Sequence, residues 1–286
     1  MIQTFELTKQ YGRFTAVEGV SLTAATGEIY GFLGLNGAGK ITLMRMLCGL
    51  LRPTKKHCQI GPVIVRGPQD SARLIPSLSF VSQELRFYEQ ATLRELLNVY
   101  AKLAQAPVTR GLDFARRTAV PMDRPCARLS PGQQRKAQLA LALLKAPQYL
   151  LLDEPTAGLD PRGVAEMRDI LRELHAHGVT IFFSSHVLGE VQALCTQVGV
   201  LHAGRLRYQG SLLERYAIQV AGDCAQAAAV LQAAGLLATL TPGSVQVAAQ
   251  PADLPAIVAR LTGAGVSVGL VQPVSLEVLF QELTAA

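Results

Sequence analysis

Long apolar runs are missing from this 286-residue chain. Apolar runs such as 139–144 and 149–152 fall far short of the roughly 20 residues that span a bilayer, so no membrane-crossing helix is expected. No charged-then-apolar leader opens the sequence, so no secretory signal is expected either. Cysteine is scarce. The five residues, at 48, 58, 126, 195 and 224, include no C-x-x-C pair, which points to reduced thiols in a cytosolic protein. No run of Lys and Arg is long enough to argue for nucleic acid, so none is expected as a partner. The net charge of +6 suits an anionic ligand or a membrane surface. What the chain does have is a 49% apolar fraction, enough for a full core, and length enough for one large domain or two.

The stretch "GLNGAGKIT" (34–42) has the spacing of a phosphate-cradling loop, Gly34-x-x-x-x-Gly39-Lys40. With Gly near 7% of an average chain, that spacing should arise by chance in roughly one chain of this length in ten, so context decides. Ahead of it, "EIYGFLG" (28–34) reads as a buried strand; behind it, "TLMRMLCGL" (42–50) has apolar residues at helical spacing and stops at Gly49. Strand, glycine-rich turn and helix follow in the order the chemistry needs. Glycines let backbone N–H groups reach phosphate oxygens, and the helix start favours negative charge. Gly34, Leu35, Asn36, Gly37, Ala38 and Gly39 would form the cradle, and Lys40 would reach the outer phosphates.

Two further strands end in polar groups. "QYLLLDEP" (148–155) delivers Asp153 and Glu154 to the C-terminal edge of a parallel sheet, where ligands bind in such folds. One acid suits Mg²⁺ and the other suits a base acting on water. "TIFFSSH" (180–186) ends in the same way at His186. Taken alone, "DE" is as well explained by a polar turn, and a lone His by a satisfied surface group.

The stretch "LSPGQQRKAQLALALL" (129–144) resembles the signature of ATP-binding cassette (ABC) ATPases, and it precedes the acid pair by the expected interval. The resemblance covers roughly residues 1–215. It implies an α/β P-loop NTPase cassette with a parallel-sheet core, an N-terminal antiparallel β layer and a helical subdomain. It implies ATP and Mg²⁺ as ligands, with Tyr11 in "YGRFTAVEGVSL" stacking on adenine and Gln83 in "FVSQ" touching Mg²⁺ and the attacking water. Asp153 then becomes the metal-binding acid, Glu154 the catalytic base and His186 the contact to the γ-phosphate. Ser130, Gly132 and Gln133 become the signature contacts to a partner's nucleotide, and Asp160 in "AGLDP" lies at the dimer interface. The implied protein is an ATP-hydrolysing subunit, a homodimer or a heterodimer with a second cassette. It drives a transmembrane permease from the cytoplasmic face of the membrane. Residues 86–97 are expected to touch that permease, with Phe87 and Tyr88 as anchors.

Three departures qualify the resemblance. Pro131 stands where a glycine is common. Ile41 stands where the loop should offer a Ser or Thr hydroxyl to Mg²⁺, and Thr42 comes one residue late. This opens an alternative reading, a degenerate subunit that binds ATP, hydrolyses it poorly and pairs with an intact cassette. Third, "KKHCQIGPVIVRG" (55–67) replaces a small-residue turn and is expected to alter one strand of the core.

The chain divides into a cassette over 1–212, with its helical subdomain at about 86–145, and a module over 213–286. A hairpin is expected to turn at Ala203-Gly204. The tail reads β-α-β-β-α-β, as in a small ferredoxin-like α+β unit, and then a final helix over 275–286. "PVSLEVLF" (273–280) is similar to a segment that closes the ATPases of the drug and polysaccharide exporter branch.

Overall fold

A computed structural model describes residues 1–84, 87–211, 215–241, 243–249, 251–274 and 280. They divide into two compact units, 1–210 and 211–286.

The first unit contains two sheets. β1 (Ile2–Tyr11) and β2 (Phe14–Ala24) alternate buried and exposed residues and pair antiparallel. Beside them lie β4 (Lys55–Ile60) and β5 (Val63–Val65), giving the order β2-β1-β4-β5. The irregular segment 55–67, expected to alter one strand of the core, forms β4 and β5 of this antiparallel layer and buries Cys58, Ile60, Val63 and Val65 in the hydrophobic core. Its inward residues Cys58 and Ile60 sit opposite Thr4 and Ile2 of β1. Lys56 and Glu6 both take left-handed backbone angles (φ 65° and 44°) where the two strands slip register, and their side chains pair at 3.0 Å.

The second sheet runs β10-β9-β3-β8-β7-β6. Its central strands β3 (Ile29–Leu33), β7 (Tyr149–Asp153) and β8 (Thr180–Ser185) are buried at every residue, as parallel strands covered on both faces must be. β6 (Leu78–Val81) flanks β7, and β9 (Gln197–His202) flanks β3. β10 (Arg205–Ser211) returns from β9 through Ala203 and Gly204, both at positive φ as a tight hairpin turn requires.

Helix α1 (Lys40–Leu47) follows the glycine loop and stops at Gly49, whose φ of 67° ends it. The short α2 (Ser71–Leu74) leads into β6. The helical subdomain contains α3 (Leu93–Leu103), α4 (Thr109–Arg117) and α5 (Pro131–Ala142). α3 and α5 each begin with a reciprocal capping box, Thr92 with Glu95 and Ser130 with Gln133. α6 (Pro161–Ala176) is capped by Asp160, and α7 (Leu188–Leu194) leads into β9. The buried cysteines 48, 58, 126 and 195 are free thiols, and burial pushes each thiol's pKa up, to about 12 for Cys58. Among the described residues, no helix is long and apolar enough to cross a membrane.

The second unit runs β11 (Arg215–Ala221), α8 (Cys224–Ala233), β12 (Ala238–Thr241), β13 (Ser244–Ala248), α9 (Leu254–Gly263) and β14 (Ser267–Val274). Its sheet order is β12-β13-β11-β14, all antiparallel. The alanine-rich α8 is a core element, placing Ala227, Ala228 and Leu231 against Val245, Val247 and Leu261. The final helix expected over 275–286, and most of "PVSLEVLF", lie outside the described residues.

Candidate functional site

Register decides what meets at the edge of the parallel sheet. Leu33 pairs with Ser185 and Asp153 with Ser184, so β3, β7 and β8 end level with one another. The glycine loop, the acid pair and His186 therefore converge, although up to 152 positions separate them in sequence (186 − 34).

The loop is held against its surroundings at two glycines. A Cβ on Gly34 would lie 2.6 Å from the Leu201 carbonyl. One on Gly39, at φ 105°, would lie 2.3 Å from the Ala16 carbonyl, so only glycine fits. Gly39 is also the N-cap of α1. No side chain caps that end and no acid lies in its first turn, leaving the amides to an anion. The Gly39–Ala16 contact seats the loop on β2, close to the tip where Tyr11 pairs with Phe14. Tyr11 is half exposed there, with the Lys9 ammonium 5.1 Å from its ring centre. Leu35, Asn36 and Gly37 are exposed, whereas Ala38 is buried.

Lys40 is 7% exposed and turns back into the loop. Its Nζ donates to the carbonyls of Gly34 (2.6 Å) and Leu35 (3.3 Å) and lies 3.3 Å from Glu154 Oε1. Glu154, 5% exposed, holds His186 Nδ1 at 2.5 Å through its other oxygen. The three side chains thus form a chain, Lys40–Glu154–His186. Glu154 occupies a left-handed backbone angle (φ 49°), a conformation that costs about 1–3 kcal/mol and collects at functional sites. Its N–H donates to Ser184 Oγ (3.1 Å). Ser184 Oγ in turn donates to Asp153 Oδ1 (2.6 Å).

The donor set for Mg²⁺ is small. Asp153 offers its second oxygen, Gln83 is exposed near the same edge, and Ile41 is half-buried and offers none. That fits Mg²⁺, which keeps its waters and is held by one or two carboxylates together with phosphates.

The other expected residues lie elsewhere. Ser130, Gly132, Gln133 and Asp160 line a separate cleft of about 530 Å³ with Lys136 and Glu166, which pair at 2.5 Å. Among the described residues, no hydrogen bond or ion pair joins any of those four to the loop 34–42. Another cavity, of about 620 Å³, runs between β6 and the helical subdomain and is lined by Ser82, Phe87, Tyr88, Tyr100 and Gln138. Tyr88 is 77% exposed on its rim, and Arg86 lies outside the described residues. Sequence reasoning missed Ser184, which "FFSSH" offers as one of two equal serines. It also missed Arg135, which a helix pattern places at the surface and the fold buries to 1%.

A family model described as ABC transporter matches residues 17–157. The chain is similar to the bacitracin transport ATP-binding protein BcrA of Bacillus licheniformis, at 38% identity over 72% of this chain and 68% of that one. It is similar at 31% identity to the lantibiotic transport ATP-binding protein SrtF of Streptococcus pyogenes, covering 74% and 93%. It is similar at 37% identity to the Nod factor export ATP-binding protein I of Rhizobium meliloti, covering 73% and 64%. Among solved structures, cbiO1 from Clostridium perfringens, part of the transporter complex cbiONQ, aligns with a TM-score of 0.66 at 29% identity, covering 73% and 88%. The dimeric cassette MJ0796 aligns at 0.68 and 22% identity, covering 74% and 99%, a likeness of fold.

Proposed function

Since the chain belongs to the ABC transporter family, we propose that it is the ATP-binding subunit of an exporter, hydrolysing ATP to drive a partner permease. The observation that carries this reading is the chain Lys40–Glu154–His186, its first two members buried, beside a glycine loop whose helix start is left uncapped. The relatives named for bacitracin, lantibiotic and Nod factor transport support the export branch.

Gly34 to Gly39 and the first amides of α1 receive the phosphates, Tyr11 faces the base, and Lys40 leaves Glu154 for the outer phosphates. Freed of Lys40, Glu154 accepts a proton from the attacking water, and His186 holds its second oxygen in place. Asp153, fixed by Ser184, and Gln83 would hold Mg²⁺, which would supply positive charge to offset that on the phosphate oxygens. The signature cleft stands apart from this loop within one chain. A second cassette therefore completes each site, its Ser130, Gly132 and Gln133 meeting the nucleotide and its Asp160 lying at the interface. The subunit sits on the cytoplasmic face of the cell membrane.

Ile41 sets the metal requirement. Loss of a supporting partner at a metal site typically costs about 10–100-fold in metal affinity or activity. The Ile41→Ser protein is accordingly expected to need about 10–100-fold less Mg²⁺ for half-maximal ATPase activity. Metal-free ATP binding should stay unchanged, because Lys40 and the loop amides carry it. Were Thr42 to supply the oxygen instead, Thr42→Val would remove the Mg²⁺ response and Ile41→Ser would change nothing. An unchanged rate and Mg²⁺ requirement in Ile41→Ser would remove this position from the account.

The groove lined by Phe87, Tyr88 and Tyr100 receives the permease, aromatic anchors on a rim being typical of interfaces. A photo-cross-linker placed at each of residues 86–90 in turn is expected to capture a co-expressed integral membrane protein from positions 87 and 88. No adduct at any of the five positions would refute the docking site.

A further inference from the structure

Arg135 is the largest fully buried side chain among the described residues, and nothing in the nucleotide chemistry above uses it. It projects from the signature helix α5. Its Nη1 donates to the Ser82 carbonyl (2.8 Å) and to Gln138 Oε1 (3.0 Å). Its Nη2 donates to the Gln83 carbonyl (3.1 Å) and, at longer range, to the Glu154 carbonyl (3.5 Å). Its Nε has no hydrogen-bond partner among the described residues. Gln138, one turn along the same helix, donates to the Glu84 carbonyl (3.0 Å). Together the two side chains grip three successive carbonyls, 82 to 84, on the strand exit that leads to Phe87 and Tyr88.

A buried guanidinium is a poor device for stability alone, since the desolvation penalty of taking its charge out of water can exceed the attraction gained. Burial lowers the pKa of this one, and the nearby Asp153 carboxylate partly offsets that. What a guanidinium does well is hold several acceptors at once in a rigid planar fork, which a lysine's point charge does not. The backbone acceptors here belong to two different functional segments. Ser82 and Gln138 line the groove, while Glu154 carries the base at a left-handed angle that depends on its surroundings.

We propose that Arg135 is a positioning residue that couples the groove at Phe87–Tyr88 to the backbone of Glu154, so that a change at one shifts the other. This rests on the reading of Glu154 as the base and of the groove as the permease site.

The test uses the full chain carrying Tyr88→Cys, labelled with an environment-sensitive fluorophore, with and without Arg135→Met. In the Arg135 parent, ATP should shift the label's emission. In Arg135→Met the shift should fall at least five-fold, and the ATPase kcat should fall at least ten-fold. KM and ADP affinity should stay within about two-fold, while the unfolding midpoint should fall, because the carbonyls of Ser82, Gln83 and Glu154 lose their donor. A purely structural role would instead spoil ADP binding along with turnover and leave the label response of the folded fraction unchanged. Arg135→Lys should behave as Arg135→Met does, lacking the fork. If Arg135→Met does not fold, Gln138→Ala, which leaves the buried charge in place, should still cut the label response at least two-fold. The proposal is overturned if the label ignores ATP in the parent, or responds equally in Arg135→Met. It is equally overturned if Gln138→Ala leaves both response and rate unchanged. The label reads coupling without any permease, so failed capture by the photo-cross-linker with an intact label response would count against the docking site alone.

Discussion

Lys40→Ala protein is expected to lose ATP binding, by about 100-fold or more. Hydrogen bonds to charged groups contribute about 1.5–3 kcal/mol each, and one ammonium serves at least two phosphate oxygens. The structure adds a complication that the motif alone does not reveal. Lys40 is the cation beside Glu154, and both side chains are more than nine-tenths buried. Removing one member of a buried pair typically costs about 3–5 kcal/mol, because the other charge is left uncompensated. Poor binding by Lys40→Ala could therefore reflect a damaged fold. The double variant Lys40→Ala/Glu154→Gln separates the effects. It should recover the unfolding midpoint, because no buried charge is stranded, yet still fail to bind ATP by titration calorimetry. A folded double variant that binds ATP as tightly as the unaltered chain would overturn the phosphate-loop assignment.

Glu154→Gln carries the second large effect. Gln keeps the shape and can still accept from Lys40, but it takes no proton from water. A positioned acid or base contributes typically 10²–10⁴-fold, so kcat should fall by about that factor while ATP binding persists. Uncleaved ATP should then hold two cassettes together. Size-exclusion chromatography should give a dimer with ATP and a monomer with ADP. A monomer under both conditions would count against self-pairing and favour a different partner cassette. Retained turnover would remove Glu154 as the base.

Much of the site is legible in the sequence because its parts are local. A loop needs its glycines and lysine at fixed covalent spacing, and Gly34, Gly39 and Lys40 have it. A buried strand ending in acids is a continuous apolar run followed by polar residues, as at 149–154. The stop at Gly49 and the turn at Ala203-Gly204 likewise depend on near neighbours. The β-α-β-β-α-β order of the tail is read from the same kind of periodicity.

Pairings between distant residues are a different matter, because a strand's apolar pattern states which face is buried and not which strand lies beside it. The segment 55–67 has a strand's pattern, and only tertiary structure assigns it to the antiparallel layer beside β1. The level ending of β3, β7 and β8 is a matter of register, and it alone brings Lys40, Glu154 and His186 into contact. Ser184 and Ser185 are equivalent in sequence, and the pleat of β8 decides which hydroxyl meets Asp153. Arg135 is the strongest case. An arginine on a helix is expected in solvent, and the converging carbonyls of Ser82, Gln83 and Glu154, contributed by distant parts of the chain, provide the acceptors that permit its burial.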